Sequence, residues 1–176
     1  RSSDLELERP MVIALNFMDE VEKRGDRIDV EKLSQQLEVP IAMHRADLEL
    51  LEDNDCQPMQ AHRRLGRLIQ SLSRRGFQDT LLPPFQPDLY LEDGDDLSHF
   101  GVNAQVVALP GHTAGSIGLK TEDGSLVVGD AMFRLFSPAP ALVYADRRQM
   151  EDSVAKIWAL HPTALYFGHG RPAQGL

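Results

Sequence analysis

With 176 residues, 42% of them hydrophobic, the chain is long enough to bury one core, and a single domain over 1–176 is the simplest reading. No apolar run approaches the roughly 18 residues that a membrane-spanning helix needs, so no membrane is expected as a partner. A net charge of -9 and a sequence pI near 5.1 repel phosphates, which argues against nucleic acid and favours a soluble cytoplasmic protein.

The elements expected from the sequence alternate along the chain. Met11 to Leu15 reads as a strand, followed by a helix with Asp29 as N-cap and Val30, Leu33 and Leu37 as its buried stripe. Val39-Pro40-Ile41 leads into a strand ending at Met43, and Ala46 to Glu52 reads as a short helix. Pro58 to Arg75 is expected as a longer helix, with Met59, Leu65, Leu68, Ile69 and Leu72 inward and Gly76 as its stop. Its basic residues, Arg63, Arg64, Arg67, Arg74 and Arg75, form a solvated face on this reading. The prolines of Leu81 to Pro87 remove backbone donors and predict an extended loop.

Beyond that loop the pattern turns to strands at Leu89 to Leu91, Gln105 to Leu109, Ser116 to Lys120 and Ser125 to Val128, with Asp123-Gly124 as a hairpin turn. Asp146 through Leu160 reads as a helix capped by Asp146 and burying Met150, Val154, Ile157 and Trp158. A last strand is expected at Ala164 to Phe167. The single cysteine, Cys56, excludes an internal disulfide and a cysteine-cluster zinc site. Arg1 to Glu6 has no apolar stretch, so no signal peptide is expected there.

Three of the apolar runs end in residues that bind metals. Pro110-Gly111-His112-Thr113-Ala114-Gly115-Ser116 places a histidine on a glycine-flanked turn, Val128-Gly129-Asp130 ends in a carboxylate, and Phe167-Gly168-His169-Gly170 ends in an imidazole. Singly, such a histidine is a surface or capping residue and such an aspartate a turn former. Together, imidazoles and a carboxylate at the tips of neighbouring strands suit zinc, iron or manganese, which accept mixed nitrogen and oxygen ligands.

In their order and spacing these motifs, with Met43-His44-Arg45-Ala46-Asp47-Leu48-Glu49-Leu50-Leu51 and the Asp93-Gly94-Asp95 turn, resemble the C-terminal portion of the metallo-β-lactamase superfamily, especially its glyoxalase-II-like members. The resemblance covers residues 41–176 and implies an α/β fold, a partial αββα sandwich with a mixed sheet and flanking helices. It also implies that His112 binds a first metal, that Asp130 bridges two metals and that His169 binds the second. In the family two metals activate a water that attacks a thioester, lactam or phosphodiester, and the glyoxalase-II-like resemblance implies a small-molecule ester or thioester as the substrate here.

The chain departs from that pattern in one place. The family's His-x-His-x-Asp-His motif is missing: the six histidines are His44, His62, His99, His112, His161 and His169, and no two stand two residues apart. His112, Asp130 and His169 alone make an incomplete site, sufficient for one metal with open positions. His44 and His99 do not match the family's ligands, and Ser137, Tyr144 and Arg171 are read as surface residues near the pocket. No catalytic residue is assigned from the sequence.

Where the missing motif belongs, residues 5–40 resemble the strand-loop-helix of a GTPase G domain, that of the bacterial ferrous-iron transporter B. Asn16-Phe17-Met18-Asp19 matches its guanine-reading Asn-x-x-Asp element. No Gly-x-x-x-x-Gly-Lys-Ser/Thr loop accompanies it, so nothing cradles phosphates, and Asn16 and Asp19 are read as strand-terminating and capping residues. Three functions follow from these readings: a hydrolase with impaired or lost activity, a non-catalytic module kept for assembly, and a guanine-nucleotide binder. A half-sandwich leaves a bare sheet face, so a homodimer is expected to cover it.

Overall fold

Asp29 starts the first helix, α1 (Val30–Leu37), in the way the sequence predicts: its extended backbone precedes the helix and its carboxylate accepts from Lys32 N at 2.9 Å. Glu38 closes α1 in the left-handed conformation. Val30, Leu33 and Leu37 are half-buried, so the expected stripe packs without any α1 residue being fully enclosed. The computed structural model describes residues 29–52, 57–61, 66–68 and 85–176. The strand at Met11 to Leu15, Asn16, Asp19, Cys56, Gly76 and most of the helix expected from Pro58 to Arg75 lie outside them.

A five-stranded sheet carries the architecture, in the order β11-β10-β6-β5-β4. Its strands are β4 (Ala104–Ala108), β5 (Ile117–Thr121), β6 (Ser125–Gly129), β10 (Ala164–Phe167) and β11 (Ala173–Gln174). β4, β5 and β6 form an antiparallel meander, whereas β10 runs parallel to β6 and antiparallel to β11. Gly124 makes the β5–β6 turn with φ 81, a conformation that favours glycine. A parallel pair needs a long crossover. Helix α2 (Arg147–Ala159) lies in that connection, capped by Asp146 accepting from Gln149 N at 2.9 Å.

The main core lies where α2 meets the sheet. Ile157 from α2 joins Val107, Leu109, Leu126, Val128, Leu165 and Phe167 in one buried cluster, with Val154 packed against it. Met150, Ala141 and Tyr144 form a smaller cluster at the start of α2. Trp158, expected to be buried, is 41% exposed, because one residue beyond Ile157 the helix has turned its side chain by about 100° away from the sheet.

Short pieces complete the structure: β1 (Ala42–Met43) pairs in parallel with β3 (Leu89–Tyr90), β2 (Gln60–Ala61) with β9 (Val143–Tyr144), and β7 (Met132–Arg134) with β8 (Pro138–Pro140). The helix expected from Pro58 is therefore corrected at its start, where Gln60 and Ala61 pair with Tyr144 and Val143. Residues 66–68 are helical, and Gly66 lies so near Leu142 that a Cβ would stand 2.7 Å from its carbonyl oxygen. Ala46 to Glu52 is helical as expected, but in the tighter 3-10 form over Arg45–Leu51, with the His44 ring accepting from Ala46 N at 3.1 Å as its cap. Among the described residues no helix is long and apolar enough to cross a membrane.

The outer edge of β4 is occupied by residues 93–97. Val106 N donates to Asp95 O at 2.8 Å, Gly94 N to Val106 O at 2.9 Å and Leu97 N to Ala104 O at 2.9 Å. Ala108 N donates to the Asp93 carboxylate at 2.7 Å. Lys156 of α2 closes this corner, donating to Asp93 at 2.7 Å and to Ala108 O at 3.1 Å.

Candidate metal centre

The three motif residues stand at strand tips, and the local backbone explains the glycines beside them. Leu109 N bonds Ser116 O at 2.8 Å, closing the loop that carries His112 between β4 and β5. Gly111, at φ 134, passes so close to Met150 that a Cβ there would collide with the helix backbone. Its carbonyl accepts from Ala145 N at 2.8 Å and Asp146 N at 3.0 Å, which ties the turn to the start of α2. His112 Nδ1 lies 2.9 Å from Val143 O. A carbonyl only accepts, so Nδ1 carries a proton, and in the neutral ring Nε2 then presents its lone pair, the arrangement by which metal-binding histidines are oriented.

Asp130 and His169 are brought together by the parallel pairing of β6 and β10. Gly168 N donates to Gly129 O at 2.8 Å at the ends of these strands, and Arg134 N of β7 donates to His169 O at 3.1 Å. The Asp130 carboxylate lies against Gly168, where a Cβ would overlap Oδ1. Asp130 Oδ1 ends 3.6 Å from His169 Nε2.

Among the described residues Asp130 Oδ1 is buried without a hydrogen-bond partner, a costly state for a carboxylate oxygen that a cation or a donor would relieve. Two ligands at the usual zinc distances in a tetrahedral arrangement stand about 3.3 Å apart. The pair therefore fits a divalent metal at one edge of its coordination shell. Among the described residues, no three His, Cys, Asp or Glu side chains gather closely enough to hold a metal ion, so His112 does not join Asp130 and His169 in a three-ligand group.

The other sequence candidates fall elsewhere. His44 caps the 3-10 helix, and His99 lies exposed on a second short 3-10 helix, Ser98–Phe100. Ser137 and Arg171 are exposed as expected, but Tyr144 is only 3% exposed, which corrects its surface reading: its pairing with Gln60 and packing beside Met150 enclose it. Two residues without a sequence-assigned role, Asp47 and Gln57, touch the loop that carries His112. Asp47 stands inside a motif quoted above, and nothing local in the sequence marks its contact.

Residues 28–169 match the family described as the metallo-beta-lactamase superfamily, and residues 2–52 match ferrous iron transport protein B. Helix α1 lies inside both matches. The hydroxyacylglutathione hydrolase of Photobacterium profundum is 38% identical over 92 residues, which cover 49% of this chain and 33% of that protein. The probable metallo-hydrolase YflN of Bacillus subtilis (strain 168) is 26% identical over 162 residues, 83% of this chain and 60% of that protein. The chain thus spans about a third of the length of the hydroxyacylglutathione hydrolases it matches. Among solved structures, TTHA1623 in a di-iron-bound form superposes with a TM-score of 0.58 and 27% identity, covering 82% of this chain and 64% of that one. The BLEG-1 B3 metallo-beta-lactamase gives a TM-score of 0.58 at 20% identity, with the same coverage of 82% and 64%, a likeness of fold.

Proposed function

The chain belongs to the metallo-beta-lactamase superfamily, and from that premise we propose that it is a metal-dependent hydrolase of the glyoxalase-II type whose activity on small-molecule esters or thioesters is impaired or lost. One observation carries this reading: among the described residues Asp130 Oδ1 is buried, lacks a hydrogen-bond partner and stands 3.6 Å from His169 Nε2. That geometry suits a cation, and on this reading His112, which does not join the pair in this structure, supplies a further donor through Nε2. The metal is zinc on this reading, with iron the alternative suggested by the di-iron form of TTHA1623, and manganese also compatible with the donors.

When bound, the metal would acidify water and polarise a thioester carbonyl. The chain's own part is to hold that charge: Asp130 supplies the anion, Gly168 leaves room for it, and the backbone bond from Arg134 fixes the His169 peptide. Impairment is inferred from the missing His-x-His-x-Asp-His motif, which supplies most of the remaining ligands in the family. Metal analysis of the purified chain tests the reading, with one equivalent of zinc, iron or manganese expected. That equivalent is lost in Asp130→Ala, and hydrolysis of a hydroxyacylglutathione thioester is slow. A chain that binds none of these metals overturns it.

A second reading, an assembly module acting as a homodimer in the cytoplasm, is favoured by the β7–β8 hairpin, where Leu135 is 67% and Phe136 89% exposed. Adjacent exposed apolar side chains are a feature of interaction surfaces. Sedimentation equilibrium tests it: a monomer across the micromolar range removes this reading.

A further inference from the structure

We infer that Asp47 and Gln57 act as a clamp that positions the His112 loop, an assignment that rests on the metal reading above. Asp47 lies on the 3-10 helix Arg45–Leu51, more than sixty residues before the loop in sequence, yet its carboxylate reaches two of the loop's residues. Oδ2 accepts from Thr113 Oγ1 at 2.6 Å and Oδ1 from Gly115 N at 2.7 Å. Gln57 works beside it: Nε2 donates to Asp47 Oδ1 at 3.1 Å and to Ala46 O at 3.1 Å, while Oε1 accepts from Ala114 N at 2.7 Å. The three residues following His112 are therefore each held by one of two side chains.

The direction of every proton in this network follows from the carboxylate, which only accepts. Thr113 Oγ1 must donate its single proton to Asp47, so Ser116 Oγ donates to Thr113 Oγ1 across 2.8 Å and accepts from Thr113 N at 3.0 Å. Glycine at position 115 is part of the same device, because a Cβ there would stand 2.6 Å from Asp47 Cγ. On the opposite side, Val143 O and the Ala145 and Asp146 amides hold His112 and Gly111. The loop is thus tied on either side of His112 in sequence, through Gly111 to the start of α2 and through Thr113 to Gly115 to Asp47 and Gln57, and the second of these ties is the one that the sequence does not reveal.

Asp47 is a positioning residue on this account, and Asp47→Asn tests it with nearly unchanged volume, since the amide places a donor where an acceptor is needed. Two readouts on the full chain decide the matter: imidazole nitrogen spectra of the metal-free protein, and titration with zinc alone. The wild type should show His112 protonated on Nδ1. Asp47→Asn should show a mixture of tautomers and bind zinc about tenfold or more weakly, in the range typical of lost outer contacts. Asp88→Ala, which removes the carboxylate that accepts from Ile41 N just before β1, should leave His112 unchanged.

If Asp47→Asn does not fold, Gln57→Ala serves in its place, with the same two changes expected at about threefold in zinc affinity. A His112 spectrum and zinc affinity equal to wild type, in whichever variant folds, overturn the clamp, as does a lowered melting temperature with His112 unaltered. Failure of the wild type to bind zinc counts against the metal reading instead, and the His112 spectrum still decides the clamp.

Discussion

Asp130 and His169 meet as carboxylate Oδ1 and imidazole Nε2 at 3.6 Å, at the ends of two strands that run parallel and are joined through α2. Neither residue is held by its own neighbours alone. The pair exists because β6 and β10 run in parallel, with a shift of register between Tyr166 and Phe167 that sets Phe167 opposite Gly129, and because Gly168 has no side chain.

Gly168→Ala is the sharpest probe of that pair. The added Cβ overlaps Asp130 Oδ1, so the carboxylate has to move or the strand ends have to part. The expected result is a loss of metal affinity of at least tenfold, together with destabilisation of about 1–3 kcal/mol, in the range for overpacking. Metal titration and denaturant melts measure the two effects separately, and an unchanged metal affinity would show that Oδ1 is not a donor.

Gly111 and Gly94 both have positive φ, yet they predict different costs. At Gly111 a Cβ collides with Met150, whereas at Gly94 nothing lies within 4 Å. Gly94→Ala should cost about 1 kcal/mol from backbone conformation alone. Gly111→Ala should cost about 3 kcal/mol or more, because strain and collision act together. Urea midpoints of the two variants should differ in that order, and equal values would remove the role given to Met150.

The Asp93–Lys156 contact predicts a pH dependence. The hydrogen bond from Lys156, and next that from Ala108 N, hold the Asp93 carboxyl below its ordinary range. A carboxyl depressed in the folded state contributes stability that is present above its unfolded value near 4 and lost as the pH falls through the folded value. Both side chains are substantially exposed, so solvent screening limits the contribution to about 0.2–1 kcal/mol. Asp93→Asn should lower the urea midpoint at pH 7 and converge on the wild type in acid, and a constant difference across pH would contradict this.

Ile157 and Trp158 are neighbours in α2 with opposite expectations. Ile157 is fully enclosed, so Ile157→Ala should cost about 2–5 kcal/mol. Trp158 is 41% exposed, so Trp158→Ala should cost far less despite the larger side chain removed. Melts ranking Trp158→Ala as the more damaging would reverse the packing described for this helix.

These contrasts show which features can be read in the chain and which cannot. The caps Asp29 and Asp146, the Gly124 turn and the alternating runs of β4 to β6 act over a few residues, so their signals are local and the elements stand where the sequence places them. Gln60-Ala61 and Pro138-Ala139-Pro140 become strands only through partners in other segments, and prolines lacking an N–H obscure the second of these. At the site, the tips carrying Asp130 and His169 are legible, because strand ends concentrate polar residues after apolar runs. The contact from His112 to the Val143 carbonyl is not, since every residue has a carbonyl and its use depends on the fold.

The occupied edge of β4 has a consequence for the chain in crowded solution. An outer strand with open amides and carbonyls invites further strands, and growth by that route ends in fibres. Here Asp93, Gly94, Asp95 and Leu97 already engage the amides of Val106 and Ala108 and the carbonyls of Ala104 and Val106. At the opposite margin β11 is two residues long, too short a template for extended pairing. Among the described residues both margins of the sheet thus offer little template for sideways growth, and aggregation of this protein should proceed through its apolar surfaces and not through the edges of this sheet.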